Sequence, residues 1–108
     1  MAEMTRIEML KEILSQSPAD TLARYALGME YSSAGDVDAA VGEFRTLLEH
    51  KSDYANAYFM AAQALAKVDR KDEAKKWLTD GIAAAQRAGN RHAQSEMQGM
   101  LDELEPGY

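Results

Sequence analysis

Residues 21–54 read TLARYALGMEYSSAGDVDAAVGEFRTLLEHKSDY, and residues 55–88 read ANAYFMAAQALAKVDRKDEAKKWLTDGIAAAQRA. Laid over one another at a shift of 34, Ala23 meets Ala57, Tyr25 meets Phe59, and Leu27-Gly28 meets Ala61-Ala62. Farther along, Tyr31 meets Leu65, Ala40 meets Ala74, Phe44 meets Leu78, and Leu48 meets Ile82. The same shift backwards sets Phe44 on Leu10 and Leu48 on Leu14. Inside each segment apolar residues recur three and four apart: Ile7, Leu10, Ile13, Leu14; then Phe44, Leu47, Leu48; then Leu78 and Ile82. That is the period of an amphipathic helix, and nothing alternates with the period of two that a half-buried strand requires. Alanine is abundant and β-branched residues are few, which favours helix throughout. The two prolines, Pro18 and Pro106, interrupt no apolar periodic segment. The fold class expected is all-α.

The repeated small residues have a packing logic. Gly28 and Ala62 on the first helix of each pair are expected opposite Ala40 and Ala74 on the second, where small side chains let antiparallel helices approach closely. The segments Ser33-Ala34-Gly35-Asp36 and Val68-Asp69-Arg70-Lys71 are read as equivalent turns. Gly35 suits a helix end, and Asp36 or Asp69 suits the cap of the next helix.

A period of 34 with these positions resembles the tetratricopeptide repeat, whose pattern is W-x2-L-G-x2-Y, then A-x3-F, then P. The first unit, 21–54, resembles it through Arg24, Leu27, Gly28, Tyr31, Ala40, Phe44 and Ser52. The second, 55–88, does so through Tyr58, Ala61, Ala62, Leu65, Ala74, Leu78 and Gln86. Arg24 departs from the tryptophan, and Ser52 and Gln86 from the proline. The resemblance implies an antiparallel helix-hairpin solenoid of about two units between capping helices, forming a single domain over 1–108. The N-terminal cap, 4–17, has Pro18 at the proline position, Leu10 and Ile13 at packing positions, and Arg6 where a small residue belongs. Arg6 is accounted for if no partner helix approaches there. At the other end Gly89-Asn90 stops the second unit. A final helix, 91–104, then covers the stack with Ala93, Met97, Met100, Leu101 and Leu104 on one face.

Composition removes several function classes. With 18 acids against 12 bases the net charge is −6, so a nucleic acid is repelled over most of the surface. The densest basic run, Lys71–Lys76, is broken by Asp72 and Glu73 and reads as a solvated helix face. No stretch approaches the ~20 apolar residues needed to span a bilayer. The opening Met1-Ala2-Glu3 carries an acid and no apolar run follows, so no secretory leader is expected. Cysteine is absent, which removes thiolate chemistry and fits a reducing, cytoplasmic location. His50 and His92 lie on different helices or helix ends, and His50 suits the negative end of a helix better than a metal. The glycines lack phosphate-cradling spacing, and carboxylates such as Asp36, Asp38 and Glu43 fall on expected solvent faces. No catalytic residue, cofactor or metal is expected.

The resemblance also implies where a partner binds, since in this family the first helix of each pair lines a concave groove. The groove positions are Leu22, Tyr25, Ala26, Met29, Ser32 and Ser33 in one unit and Asn56, Phe59, Met60, Gln63, Ala66 and Lys67 in the other. The candidate peptide-binding residues are Leu22, Tyr25, Met29, Asn56, Phe59, Met60 and Gln63. Aromatics and methionines supply adaptable apolar area, and the amides of Asn56 and Gln63 suit hydrogen bonds to a peptide backbone. One branch of the family clamps an acidic C-terminus with cationic groove residues. Tyr25, Met29 and Met60 occupy those positions here, with Asn90 and Gln94 as counterparts in the last helix, so an apolar or amphipathic peptide is expected instead. The alternative is a homo-oligomeric scaffold without a separate ligand. There the same row, or Trp77, packs internally or forms a homodimer.

Overall fold

A computed structural model describes residues 4–105. Met1–Glu3, on which the leader expectation rests, and Pro106 lie outside them. Six helices follow in order: α1 (Arg6–Gln16), α2 (Thr21–Ser33), α3 (Val37–His50), α4 (Ala55–Lys67), α5 (Lys71–Arg87) and α6 (Arg91–Leu104). Among the described residues there is no strand. One compact unit ends at Lys51 and a second begins at Ser52.

In the first unit α2 packs against both α1 and α3. Leu10 and Leu14 of α1 bury against Ala23 and Leu27 of α2, with Ile7, Ala26 and Tyr31 around them. Ile13, expected to pack, is instead 44% exposed. The physical reason is that α1 meets only α2 among the described helices, so its opposite side has no helix to bury against. Arg6 does reach a partner helix: its guanidinium pairs with Glu30 of α2. Phe44 of α3 is fully buried. Its ring lies over Gly28, and a Cβ added at Gly28 would stand 2.7 Å from Phe44 Cε1.

In the second unit α5 packs against α4 and α6. Gly81 of α5 is closely packed on both sides. A Cβ there would sit 2.6 Å from Tyr58 Cβ of α4 and 2.5 Å from Met97 Sδ of α6. Ala57, Ala61, Ala62 and Leu65 of α4 and Ala74 and Leu78 of α5 are fully buried, so this core is built largely of alanine at close helix spacing.

Three turns share one hydrogen-bond pattern. The amides of Asp36, Arg70 and Asn90 each reach back five residues, to the carbonyls of Tyr31, Leu65 and Ala85. The residues before them, Gly35, Asp69 and Gly89, have φ of 83°, 64° and 70°. This is the left-handed helix stop, which glycine adopts without steric cost. Asp69 therefore occupies the place of Gly35 and does not cap α5. The turn equivalent to 33–36 is therefore 67–70, one residue earlier than expected, and Arg70, without a side-chain cap bond, takes the capping place. Elsewhere Thr5, Asp20, Asp36 and Asn90 do cap their helices, accepting from the amides of Glu8, Ala23, Ala39 and Ala93.

Candidate functional site

The expected groove residues stand on two helices, one in each unit. On α2, Leu22 projects into solvent at 72% exposure, while Tyr25 and Met29 are half-buried. The Tyr25 ring lies 6.0 Å from that of Phe44, inclined by 52°, so one of its faces is committed to the core. On α4, Phe59 and Met60 are half-buried, and Asn56 and Gln63 are exposed.

Phe59 and Gln63 are brought together with α6. They form one wall of an open cleft of about 340 Å³ whose other wall is Ser95, Glu96, Gly99, Met100 and Glu103. Asn56 and Met60 lie outside it. Phe59 and Met100 give the cleft apolar surface, Gln63 and Ser95 supply hydrogen-bonding groups, and Glu96 and Glu103 supply carboxylates. The α6 wall was not anticipated, although Met100 was placed on that helix's apolar face. Helix α6 starts 36 residues after α4 where strict repetition would give 34. Helix α5 runs 17 residues against 14 for α3, and the turn after it is one residue shorter than the turn after α3. Met97 thereby falls on the equivalent of Ala61 and is buried to 1% exposure.

Among the described residues no three metal-ligating side chains gather. His92 does have a carboxylate one turn along, which the sequence reading passed over: Nε2 lies 3.1 Å from Glu96 Oε1 on an exposed face. His50 sits in the last turn of α3 as expected. Glu43 was expected on a solvent face but is largely covered, its carboxylate 2.8 Å from Arg24 Nη1. Asn90, the counterpart of a clamp residue, spends its side-chain oxygen capping α6. Trp77 stacks edge-on against Tyr58 of its own hairpin, with ring centres 6.2 Å apart. Burial chiefly, with Asp80 and Asp53 adding and Arg87 opposing, raises the Tyr58 phenol above its ordinary value. Among the described residues no helix is long and apolar enough to cross a membrane.

Comparison with known proteins bears on this geometry. The sequence model of the tetratricopeptide repeat matches residues 31–97. A TPR repeat-containing protein of Pseudomonas aeruginosa is 26% identical, over 92% of this chain and 94% of its own. The solution structure of a protein from Bordetella parapertussis superposes with a TM-score of 0.79 at 27% identity, covering 94% of this chain and 89% of that one. A tetratricopeptide repeat domain protein from Salinibacter ruber gives 0.74 at 30% identity, over 82% and 89% of the two chains.

Proposed function

The chain belongs to the tetratricopeptide-repeat family, whose folds generally mediate protein–protein interaction, and from that premise we propose that it is a non-catalytic module that holds an apolar or amphipathic peptide segment. The observation that carries the proposal is the cleft between α4 and α6, which Phe59 and Met100 line with apolar surface together with the amide of Gln63. Its size suits one or two inserted side chains, with the peptide backbone lying over the opening. Gln63 meets that backbone with a donor and an acceptor, contributing affinity without selecting a side chain. Leu22, Tyr25 and Met29 on α2 and Asn56 and Met60 on α4 are proposed as further contact residues.

The test is an NMR titration of labelled protein with an uncharged amphipathic helical peptide of leucine, glutamine and alanine. Perturbations centred on Phe59, Gln63 and residues 95–103 are expected, and are to weaken in a Phe59→Ala/Met100→Ala variant that stays folded. Saturable binding elsewhere, untouched by that variant, would overturn the assignment. An acidic C-terminal peptide should bind more weakly than this one, and micromolar affinity for it at physiological salt would count against the proposal.

One observation favours the homo-oligomeric scaffold as a second reading. Of the exposed large apolar side chains among the described residues, Met4, Met9, Ile13 and Leu22, between 44% and 72% exposed, belong to the first unit, and Val68, at 47%, belongs to the second. Sedimentation giving a clean monomer at micromolar concentration would remove that reading.

A further inference from the structure

The α6 wall of the α4/α6 cleft has a charge pattern that narrows its ligand. Glu96 and Glu103 lie seven residues apart on α6, about 10.5 Å along the helix axis at ~1.5 Å per residue. Between them are Gly99 and Met100. A Cβ at Gly99 would touch nothing within 4 Å, so the wall dips there beside the Met100 side chain. The α6 surface thus reads acid, apolar notch, acid.

The helix reinforces that sign. Its last turn holds no basic residue, while Asp102, Glu103 and Glu105 crowd its C-terminal end. A helix C-terminus already carries about half a negative charge, so acids there add to an unfavourable field. His92 Nε2 lies 3.1 Å from Glu96 Oε1 near the N-terminal end of the helix, away from Glu103. A cationic ligand relieves this field, whereas an anionic one adds to it.

Resting on the groove reading above, we propose that the ligand of this cleft is a basic amphipathic helix. It carries lysine or arginine two turns apart and inserts the apolar side chains between them beside Phe59 and Met100. Cations at i and i+7 with leucines at i+3 and i+4 match the spacing of Glu96, Gly99, Met100 and Glu103, because both partners then share one helical period.

The experiment compares three helical peptides identical except at positions i and i+7, which are lysine, glutamine or glutamate. Each is titrated into the full chain and into an E96Q/E103Q variant. Both glutamates are exposed, so the variant is expected to fold like the parent. The lysine peptide should bind roughly 3- to 10-fold more tightly than the glutamine peptide at low salt, as two exposed ion pairs allow. That advantage should vanish in the variant and in ~1 M salt, where screening acts within about 3 Å. Equal affinity for lysine and glutamine peptides, with both weakened by Phe59→Ala/Met100→Ala, would overturn the charge assignment and leave the groove reading standing. Binding of none of the three would overturn both.

Discussion

Arg24 and Tyr58 stand 34 residues apart, and each donates to the carbonyl six residues behind it. Arg24 Nη2 reaches Pro18 O at 3.0 Å, and Tyr58 Oη reaches Ser52 O at 2.9 Å. Across the hairpin their partners are also equivalent, Glu43 for Arg24 and Trp77 for Tyr58. An ion pair in one hairpin and an aromatic pair in the other therefore brace the same place, which explains why the tryptophan of the family pattern is dispensable here. Tyr58→Phe should cost about 0.5–1.5 kcal/mol, the net worth of such a hydrogen bond, measurable by chemical denaturation. Because the folded-state pKa of Tyr58 is raised, its contribution is fully present below the unfolded value of about 10 and is lost as pH rises through the folded value. Ultraviolet titration should show one phenol ionising late, and the late phase should be missing from the Phe variant. Gly28 offers a second residue-scale test. Alanine there drives a Cβ to within 2.7 Å of the fully buried Phe44 ring. Overpacking of about 1–3 kcal/mol should outweigh the ~1 kcal/mol that alanine gains in helix propensity. Phe44→Leu added to Gly28→Ala should recover part of the loss, since the second hairpin carries Ala62 and Leu78 at those positions. A double-mutant cycle with no coupling would refute the contact. The sequence shows that position 28 is small; that the Phe44 ring packs on it is a tertiary contact that no local pattern carries.

Helix limits were readable in outline because caps and stops are local chemistry. Asp20, Asp36 and Asn90 each satisfy an amide three residues on, through a side chain visible in the sequence. The α4–α5 turn was misread because its left-handed residue is an aspartate, and the eye assigns aspartate to a cap. Asp69 adopts φ 64° where the equivalent Gly35 adopts 83°. An L side chain is held there at a cost of roughly 1–2 kcal/mol relative to glycine, less for aspartate than for most residues. Asp69→Gly should therefore raise stability by up to about 1 kcal/mol. Gly35→Ala and Gly89→Ala should lower it by a similar amount, each read from the denaturation midpoint. A neutral or destabilising Asp69→Gly would mean that the contact of Lys71 Nζ with Asp69, 3.6 Å long and largely exposed, outweighs the backbone strain. The cleft was half legible. Phe59 and Gln63 follow from the repeat, whereas α6, whose start Gly89-Asn90 marks, reads in the sequence as a cap over the stack and not as a wall of the groove.

At the scale of the chain, the question is whether the exposed apolar residues of the first unit serve self-association or are tolerated. Met9 and Ile13 are 46% and 44% exposed on α1. They sit one turn apart, where the equivalent of Ile13 in the first hairpin, Leu47, is fully buried. Among the described helices α1 packs only against α2, so this side meets no helix that would bury it. Arg6 stands where the equivalent Ala40 is fully buried, and its bulk opposes close docking of another helix at that crossing. Scattered apolar side chains on a monomer surface need no partner, and a net charge of −6 adds mutual repulsion between copies. The interaction-module reading thus predicts a monomer by light scattering at micromolar concentration. A Met9→Glu/Ile13→Glu variant should keep the same mass, fold to within ~0.5 kcal/mol of the parent as exposed substitutions do, and bind the amphipathic peptide equally well. A parent dimer that this variant dissolves would reverse the argument. The α1 face would then be the functional surface, and the scaffold reading would replace the peptide cleft as the account of what the chain does.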